Sequence, residues 1–199
     1  MRKTILAALT ATVLAAAGLL TAGEKAKSAK APDFTLTNYD GKTVKLADYK
    51  GKIVILEWFN DECPFVRYHY EKVTTMNNIA GRYKDKNVVL LAINSTGHQE
   101  LAATKKFVED FKVAHPILND SAGTVGKAYG AKTALHMFII DANGNIAYNG
   151  AIDNAPLGKI PEGEKLVNYV EKALDELAAG KSVSISETKP YGCSVKYGK

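Results

Sequence analysis

Cys63 and Cys193 are the only thiols in this chain of 199 residues. Cys63 follows Glu57-Trp58-Phe59-Asn60-Asp61-Glu62 and precedes Pro64-Phe65-Val66. An apolar run, Ile53 to Leu56, breaks there into a polar turn, and Pro64 suits the first position of a helix. The Cys63 thiol then sits at a helix N-terminus, where unpaired N–H groups and the positive end of the helix dipole favour the thiolate. Arg67, one turn along, favours it too, while Asp61 and Glu62 oppose it. A thiolate so placed is a nucleophile for thiol–disulfide exchange. The plain alternative is a partly buried thiol or one half of a static bridge.

The elements that must position Cys63 are legible in the apolar pattern. Phe34-Thr35-Leu36-Thr37 and Thr43-Val44-Lys45-Leu46 flank Asp40-Gly41 and predict a hairpin. Lys52 to Phe59 reads as a buried strand, followed by a helix from Cys63 to about Tyr83 and a second apolar strand, Asn87 to Asn94. Thr96 with Gln99 three residues on has the pattern of a capping box, and Leu101, Phe107, Val108 and Phe111 follow at helical spacing. A shorter helix is expected over Ala122 to Tyr129. Met137 to Ile140 and Ile146 to Tyr148 flank Asn143-Gly144, a strong hairpin signal. The last helix, about Glu162 to Ala179, carries Leu166, Val170, Leu174 and Leu177 on one face and stops at Gly180. This order of strands and helices argues for a single α/β domain with a mixed sheet.

The two ends bound the compartment and the partners. Residues 1–23 read as a signal peptide: Met1-Arg2-Lys3, an apolar Ala-rich stretch from Ile5 to Leu20, then Thr21-Ala22-Gly23. A retained membrane anchor is the alternative, so a membrane contact is expected only if this segment stays attached. Residues 24–30 read as a solvated linker, and residues 31–199 as the domain, with an irregular tail over 181–199. Losing Arg2 and Lys3 lowers the net charge from +5 to about +3, too little to argue for nucleic acid. Export would place both cysteines in an oxidising compartment, periplasmic or extracellular, where a pair can form a bridge.

The order of elements from Ala31 to Ala179 resembles the thioredoxin fold in its redoxin and peroxiredoxin-like branch, whose members open with a hairpin of the Ala31-Pro32-Asp33-Phe34 type. The segment from Trp58 to Val66, with the tail Pro190-Tyr191-Gly192-Cys193-Ser194-Val195-Lys196-Tyr197, is similar to an exported subgroup whose members are mostly without assigned activity. The resemblance implies an α/β, thioredoxin-like fold: a mixed central sheet flanked by helices, an N-terminal β-hairpin extension and an irregular C-terminal tail. The chain departs from two family motifs. Val66 stands where Cys-x-x-Cys needs its second cysteine. Leu56 and Asn60 stand where the peroxiredoxin pattern needs Pro and Thr.

In a thioredoxin-like layout the last helix runs away from the active end, so the tail must return for Cys193 to act as resolving cysteine. Lys181 to Cys193 is 13 residues, which extend roughly 43 Å at about 3.3 Å each, enough to cross a small domain. Gly192 suits a sharp turn just before Cys193. The loop facing Cys63 usually carries a cis-proline. Leu135 takes that place, which predicts a trans peptide and an altered loop. His136, in the same loop, is a candidate base or metal ligand, and Cys63, His136 and Cys193 together would suit Cu(I) or Zn(II). No Cys-x-x-Cys or His-x-x-His spacing supports a metal site.

Other residues carry plainer expectations. His69 falls off the thiol's face of the helix, and His98 and His115 are expected at the surface. Trp58, Tyr68 and Tyr70 are core residues before they are groove residues. Asp141 to Asn145 is a turn, and Asp153-Asn154 a polar point after a strand. The expected function is thiol–disulfide exchange or thiol-dependent reduction by Cys63 with Cys193 resolving, supported by Pro64, Arg67, Asn60, Trp58, Leu135 and His136. It needs no cofactor, and its partner is a protein thiol or disulfide or a small oxidised substrate. A non-catalytic binding module stapled by the same cysteines and a metal carrier are the alternatives.

Overall fold

A computed structural model describes residues 29–198. The leader over 1–23 and most of the linker lie outside the described residues. Seven strands form one mixed sheet: β1 (Thr35–Asn38), β2 (Thr43–Lys45), β3 (Ile53–Trp58), β4 (Val88–Asn94), β5 (Ile117–Asn119), β6 (Met137–Ile140) and β7 (Ile146–Gly150). Their order is β2-β1-β5-β4-β3-β6-β7. Strands β3, β4 and β5 run parallel, β6 is antiparallel to β3, and the two hairpins close the margins. β5 was not anticipated. Its three residues follow Pro116 and carry too little pattern to read, yet they join the N-terminal hairpin to the central strands.

The central strands are apolar because both of their faces are covered. Val54, Leu56 and Trp58 of β3 pack on one side with Leu91, Ile93, Tyr129 and Phe138. Ile55 packs on the other side with Phe59, Cys63, Leu135, Ile139 and Leu174. The helices on these faces are α1 (Pro64–Arg67), α2 (Thr75–Tyr83), α3 (Leu101–Phe111), α4 (Thr124–Tyr129) and α5 (Tyr169–Ala178). Among the described residues no helix is long and apolar enough to cross a membrane.

Three expectations need correcting. The helix expected from Cys63 to Tyr83 is broken. A single π turn, Tyr68–Lys72, follows α1, and Thr74 turns left-handed at φ 49° before α2 begins. The β-branched run Val73-Thr74-Thr75 has little helix propensity to resist that break. The capping box is not formed: Gln99 instead donates to the Asn94 carbonyl at 3.2 Å and to Asn119 Oδ1 at 2.8 Å, tying the ends of β4 and β5. The last helix starts at Tyr169, and Leu166 stands 58% exposed outside it. At the edge of the expected linker, Ala29 and Lys30 pair with the β6–β7 turn, where Ile146 donates to the Ala29 carbonyl at 2.8 Å.

Asn168 caps α5, its side-chain oxygen accepting from the Glu171 N–H at 3.0 Å. Asn168→Ala should therefore lower the unfolding free energy by about 1 kcal/mol, and Asn168→Ser by much less. Urea unfolding of the two variants checks this.

Candidate functional site

Cys63 is the N-cap of α1, with Pro64 at the first helical position as the sequence predicts. Asn60 shapes the approach. Its Oδ1 accepts the Glu62 N–H at 2.8 Å, its carbonyl accepts the Cys63 N–H at 3.1 Å, and its Nδ2 donates to Thr96 at 3.2 Å. The thiol lies inward: Cys63 is only 1% exposed, among Phe59, Val66 and Leu135.

The loop between α4 and β6 faces it. Leu135 is fully buried and left-handed at φ 62°, and no cis peptide bond occurs among the described residues, so the trans, altered loop is borne out. A bulky residue in that region costs of order 1–3 kcal/mol and stays only where its surroundings hold it. They do so from the end of β3: Leu135 donates to the Trp58 carbonyl at 2.7 Å, and Trp58 donates to the His136 carbonyl at 3.0 Å. Trp58 contributes through its backbone, since its indole packs on the opposite face of the sheet and donates to Ser95 at 3.1 Å.

The tail returns to this loop. Its first leg lies along β7, where Asn149 donates to the Ser186 carbonyl at 3.0 Å and Thr188 to the Asn149 carbonyl at 3.1 Å. Pro190 to Cys193 then cross the loop, with Ala134 donating to the Cys193 carbonyl at 2.8 Å and Thr133 Oγ1 to the Tyr191 carbonyl at 3.1 Å. Gly192 has φ 128°, and a Cβ there would run into the Ala134 carbonyl oxygen, so only glycine fits the crossing. Val195 donates to the Lys132 carbonyl at 3.1 Å, and Tyr197 to that of Ala131 at 2.8 Å.

This path packs Cys193 against the core cluster that contains Cys63. Both thiols are free, Cys63 buried and Cys193 half-buried. Burial, then the hydrogen bond to Cys63 and the charge beside it, push the Cys193 thiol up to about 11 against a weaker opposing pull from Lys196.

Two supporting residues are placed otherwise than expected. The Arg67 guanidinium lies over the rings of Phe111 and Phe107, 5.2 and 6.0 Å from their centroids, and 3.8 Å from Glu71. The buried His136 turns away from the thiols. Its Nδ1 accepts the Lys132 N–H at 3.2 Å, and its Nε2 lies 2.9 Å from Asn149 Oδ1 and donates to it. Both ring nitrogens are thus engaged away from the thiols, and among the described residues no three His, Cys, Asp or Glu side chains gather into a metal site. The ligand set Cys63, His136 and Cys193 is therefore not assembled.

Sequence reasoning missed two buried polar groups. Tyr191 donates to Asp153 Oδ1 at 2.7 Å and meets His69 Nε2 at 3.0 Å, while His69 Nδ1 meets Thr75 Oγ1 at 3.1 Å. From the same π turn, Tyr70 donates to Glu57 Oε2 at 2.6 Å and meets His115 Nε2 at 3.0 Å. His115 is 7% exposed, not a surface residue, and Glu57 Oε1 and His115 Nδ1 have no partner. A charged residue inside the apolar run Ile53 to Trp58 was the visible signal for Glu57. The left-out signal for Tyr191 lay in its position two residues before Cys193. Tyr68 is half-buried, and His98 is exposed as expected, 3.9 Å from Glu62. Asp141 forms the expected turn, accepting from Asn143 and Asn145.

Residues 28–149 match the AhpC/TSA family. The chain belongs to the AhpC/TSA family. It is 31% identical over 130 residues to the thiol-disulfide oxidoreductase ResA of Bacillus thuringiensis subsp. konkukian, covering 65% of this chain and 72% of that protein. Among solved structures, an uncharacterised conserved protein from Geobacillus kaustophilus superposes with a TM-score of 0.76 at 29% identity, covering 86% of this chain and 92% of that one. A hypothetical protein from Sinorhizobium meliloti 1021 gives 0.74 at 26% identity, covering 86% and 94%. The thioredoxin-like fold of this AhpC/TSA member thus extends over more of the chain than its likeness to ResA does.

Burial holds His69 and His136 below the ordinary imidazole range, against the opposing pull of Asp153 and Glu57 on the first and of Asn149 and Glu187 on the second. A histidine that binds its proton more weakly folded than unfolded stabilises the fold above the unfolded value of about 6.5, and that stability is lost as pH falls through the folded value. Urea unfolding free energies should accordingly be level above about pH 7 and decline as pH falls below about 6.5. A flat profile below that pH would contradict the depressed values.

Proposed function

We propose that the protein is an exported thiol–disulfide oxidoreductase that works through Cys63 and Cys193. The observation that carries this reading is the return of the tail, which sets the half-buried Cys193 against the buried Cys63 at the N-cap of α1. The likeness to ResA, a thiol-disulfide oxidoreductase, supports the reaction class. Leu56 and Asn60, in place of the peroxiredoxin Pro and Thr, favour a disulfide over a peroxide as substrate. The resemblance of residues 58–66 and 190–197 to the exported peroxiredoxin-like subgroup, and the leader over 1–23, support a periplasmic or extracellular site of action.

Cys63 attacks one sulfur of a partner disulfide, forming a mixed disulfide and releasing the partner's first thiolate. That thiolate takes the proton held on Cys193. Cys193 then attacks the Cys63 sulfur, the partner's second thiolate leaves, and a Cys63–Cys193 bridge remains. Two electrons pass to the partner, and an external dithiol returns them. An outside disulfide reaches Cys63 only when the segment that carries Cys193 lifts away, so the tail both covers and resolves.

The reduction potential of the couple, read by equilibration with thiol buffers and thiol-trapping mass spectrometry, should fall between about −120 and −270 mV. A value below about −300 mV would make the bridge a structural staple and the protein a binding module. In a second measurement, Cys193→Ala should accumulate a mixed disulfide with a disulfide-bonded protein substrate, whereas Cys63→Ala should accumulate none. Equal yields from both would assign the wrong nucleophile.

A further inference from the structure

Tyr191 lies two residues before Cys193, and its hydroxyl ends a directional chain of hydrogen bonds. Tyr191 has one O–H, and it goes to Asp153 Oδ1 at 2.7 Å. The contact with His69 Nε2 at 3.0 Å must then be donated by the imidazole, so Nε2 carries the ring hydrogen. His69 Nδ1 is left as acceptor, and the Thr75 hydroxyl, 3.1 Å away, donates to it. Asp153 Oδ1 also accepts the Ala155 N–H at 2.8 Å, which fixes the carboxyl group at its end of the chain. Thr75, His69, Tyr191 and Asp153 thus form one ordered path from the start of α2 to the segment after β7, and each bond sets the direction of the next.

This path crosses the break in the helix. His69 lies in the π turn and Thr75 just after the left-handed Thr74. An uninterrupted helix would carry His69 and Thr75 six residues apart around the axis, about 600°, and so off a common face. The break is what lets both approach one another beneath the tail. The Tyr191 ring meanwhile packs 5.7 Å from that of Phe65, in the turn of α1 that Cys63 caps.

We infer that Tyr191, oriented by His69 and Asp153, is a positioning residue that latches the tail so that Cys193 is held over Cys63. The inference rests on the exchange reading above and adds what sets the geometry of the resolving step. Holding two thiols in register raises the effective concentration of one toward the other. The same latch closes the approach to Cys63 from outside.

Tyr191→Phe tests this, since it keeps the ring against Phe65 and removes only the hydroxyl. In the full-length reduced protein equilibrated with glutathione, the effective concentration of the Cys63–Cys193 bridge should fall about tenfold, a shift of about 30 mV for this two-electron couple. Alkylation of Cys63 by iodoacetamide, resolved from that of Cys193 by peptide mass spectrometry, should quicken by a similar factor. Thr75→Val, which touches neither the tail nor a cysteine, should move both readouts the same way by a smaller factor, because His69 loses the donor that fixes its ring hydrogen. If Tyr191→Phe lowers the melting temperature of oxidised and reduced protein equally while both readouts stay at wild-type values, the hydroxyl is merely structural and the inference is overturned. If the wild-type protein forms no Cys63–Cys193 bridge at all, the exchange reading fails. Alkylation then judges the latch alone: faster labelling of Cys63 in Tyr191→Phe upholds it, and unchanged labelling sinks it.

Discussion

The hydrogen bond from the Ala134 N–H to the Cys193 carbonyl is the point on which the two thiol-bearing segments meet. The loop that makes it is held from inside by Leu135 and His136, bonded to the end of β3, and from outside by the tail. β3 leads through the Asn60 turn to Cys63, and the tail leads through Gly192 to Cys193. One short loop therefore sets the distance between two residues 130 positions apart in sequence. Its geometry is bought with backbone strain at Leu135, kept in place because that side chain is wholly enclosed by the core around Cys63.

The fold was legible where the apolar pattern was long. β3, β4 and the β6–β7 hairpin carry uninterrupted apolar runs or an Asn-Gly turn, and they appear where expected. Short or competing signals misled. β5 is three residues long and exists because its neighbours offer it two partners. The break after Lys72 answers to a tertiary demand, the seating of His69 under the tail, which helical periodicity does not record. The N-cap position of Cys63 was readable from local spacing, and the altered loop at Leu135 from the resemblance to the thioredoxin fold. Arg67 and His136 were not, because nearness in sequence says nothing about which way a long or planar side chain turns. Arg67 found aromatic faces, and His136 found a backbone N–H and an amide.

The two buried polar groups differ in a way that bears on what each can do. In the Tyr191 group every hydrogen has an acceptor and every bond has one sense, which makes for a rigid arrangement with a single state. The Glu57 group is half satisfied: Tyr70 bridges Glu57 and His115, and one atom of each flanking residue is left unpaired. Such networks are costly in a low-dielectric interior unless they are complete. The molecule therefore has a completed network under its tail and an incomplete one within its core, reached through the neighbouring residues His69 and Tyr70.

The first leg of the tail has a second consequence, for the sheet as a whole. β7 is the outermost strand on its side, and an exposed outer strand offers unpaired N–H and C=O groups to any extended chain that meets it. Residues 186–188 occupy those groups at Asn149. The opposite margin, β2, is three residues long and has Lys42 before it and Lys45 at its end, a short and charged border that resists pairing. Both borders of the sheet are thus guarded against strand addition, one by brevity and charge, the other at Asn149 by the chain's own C-terminal segment. The segment that carries Cys193 thus also lies along the outer edge of the sheet.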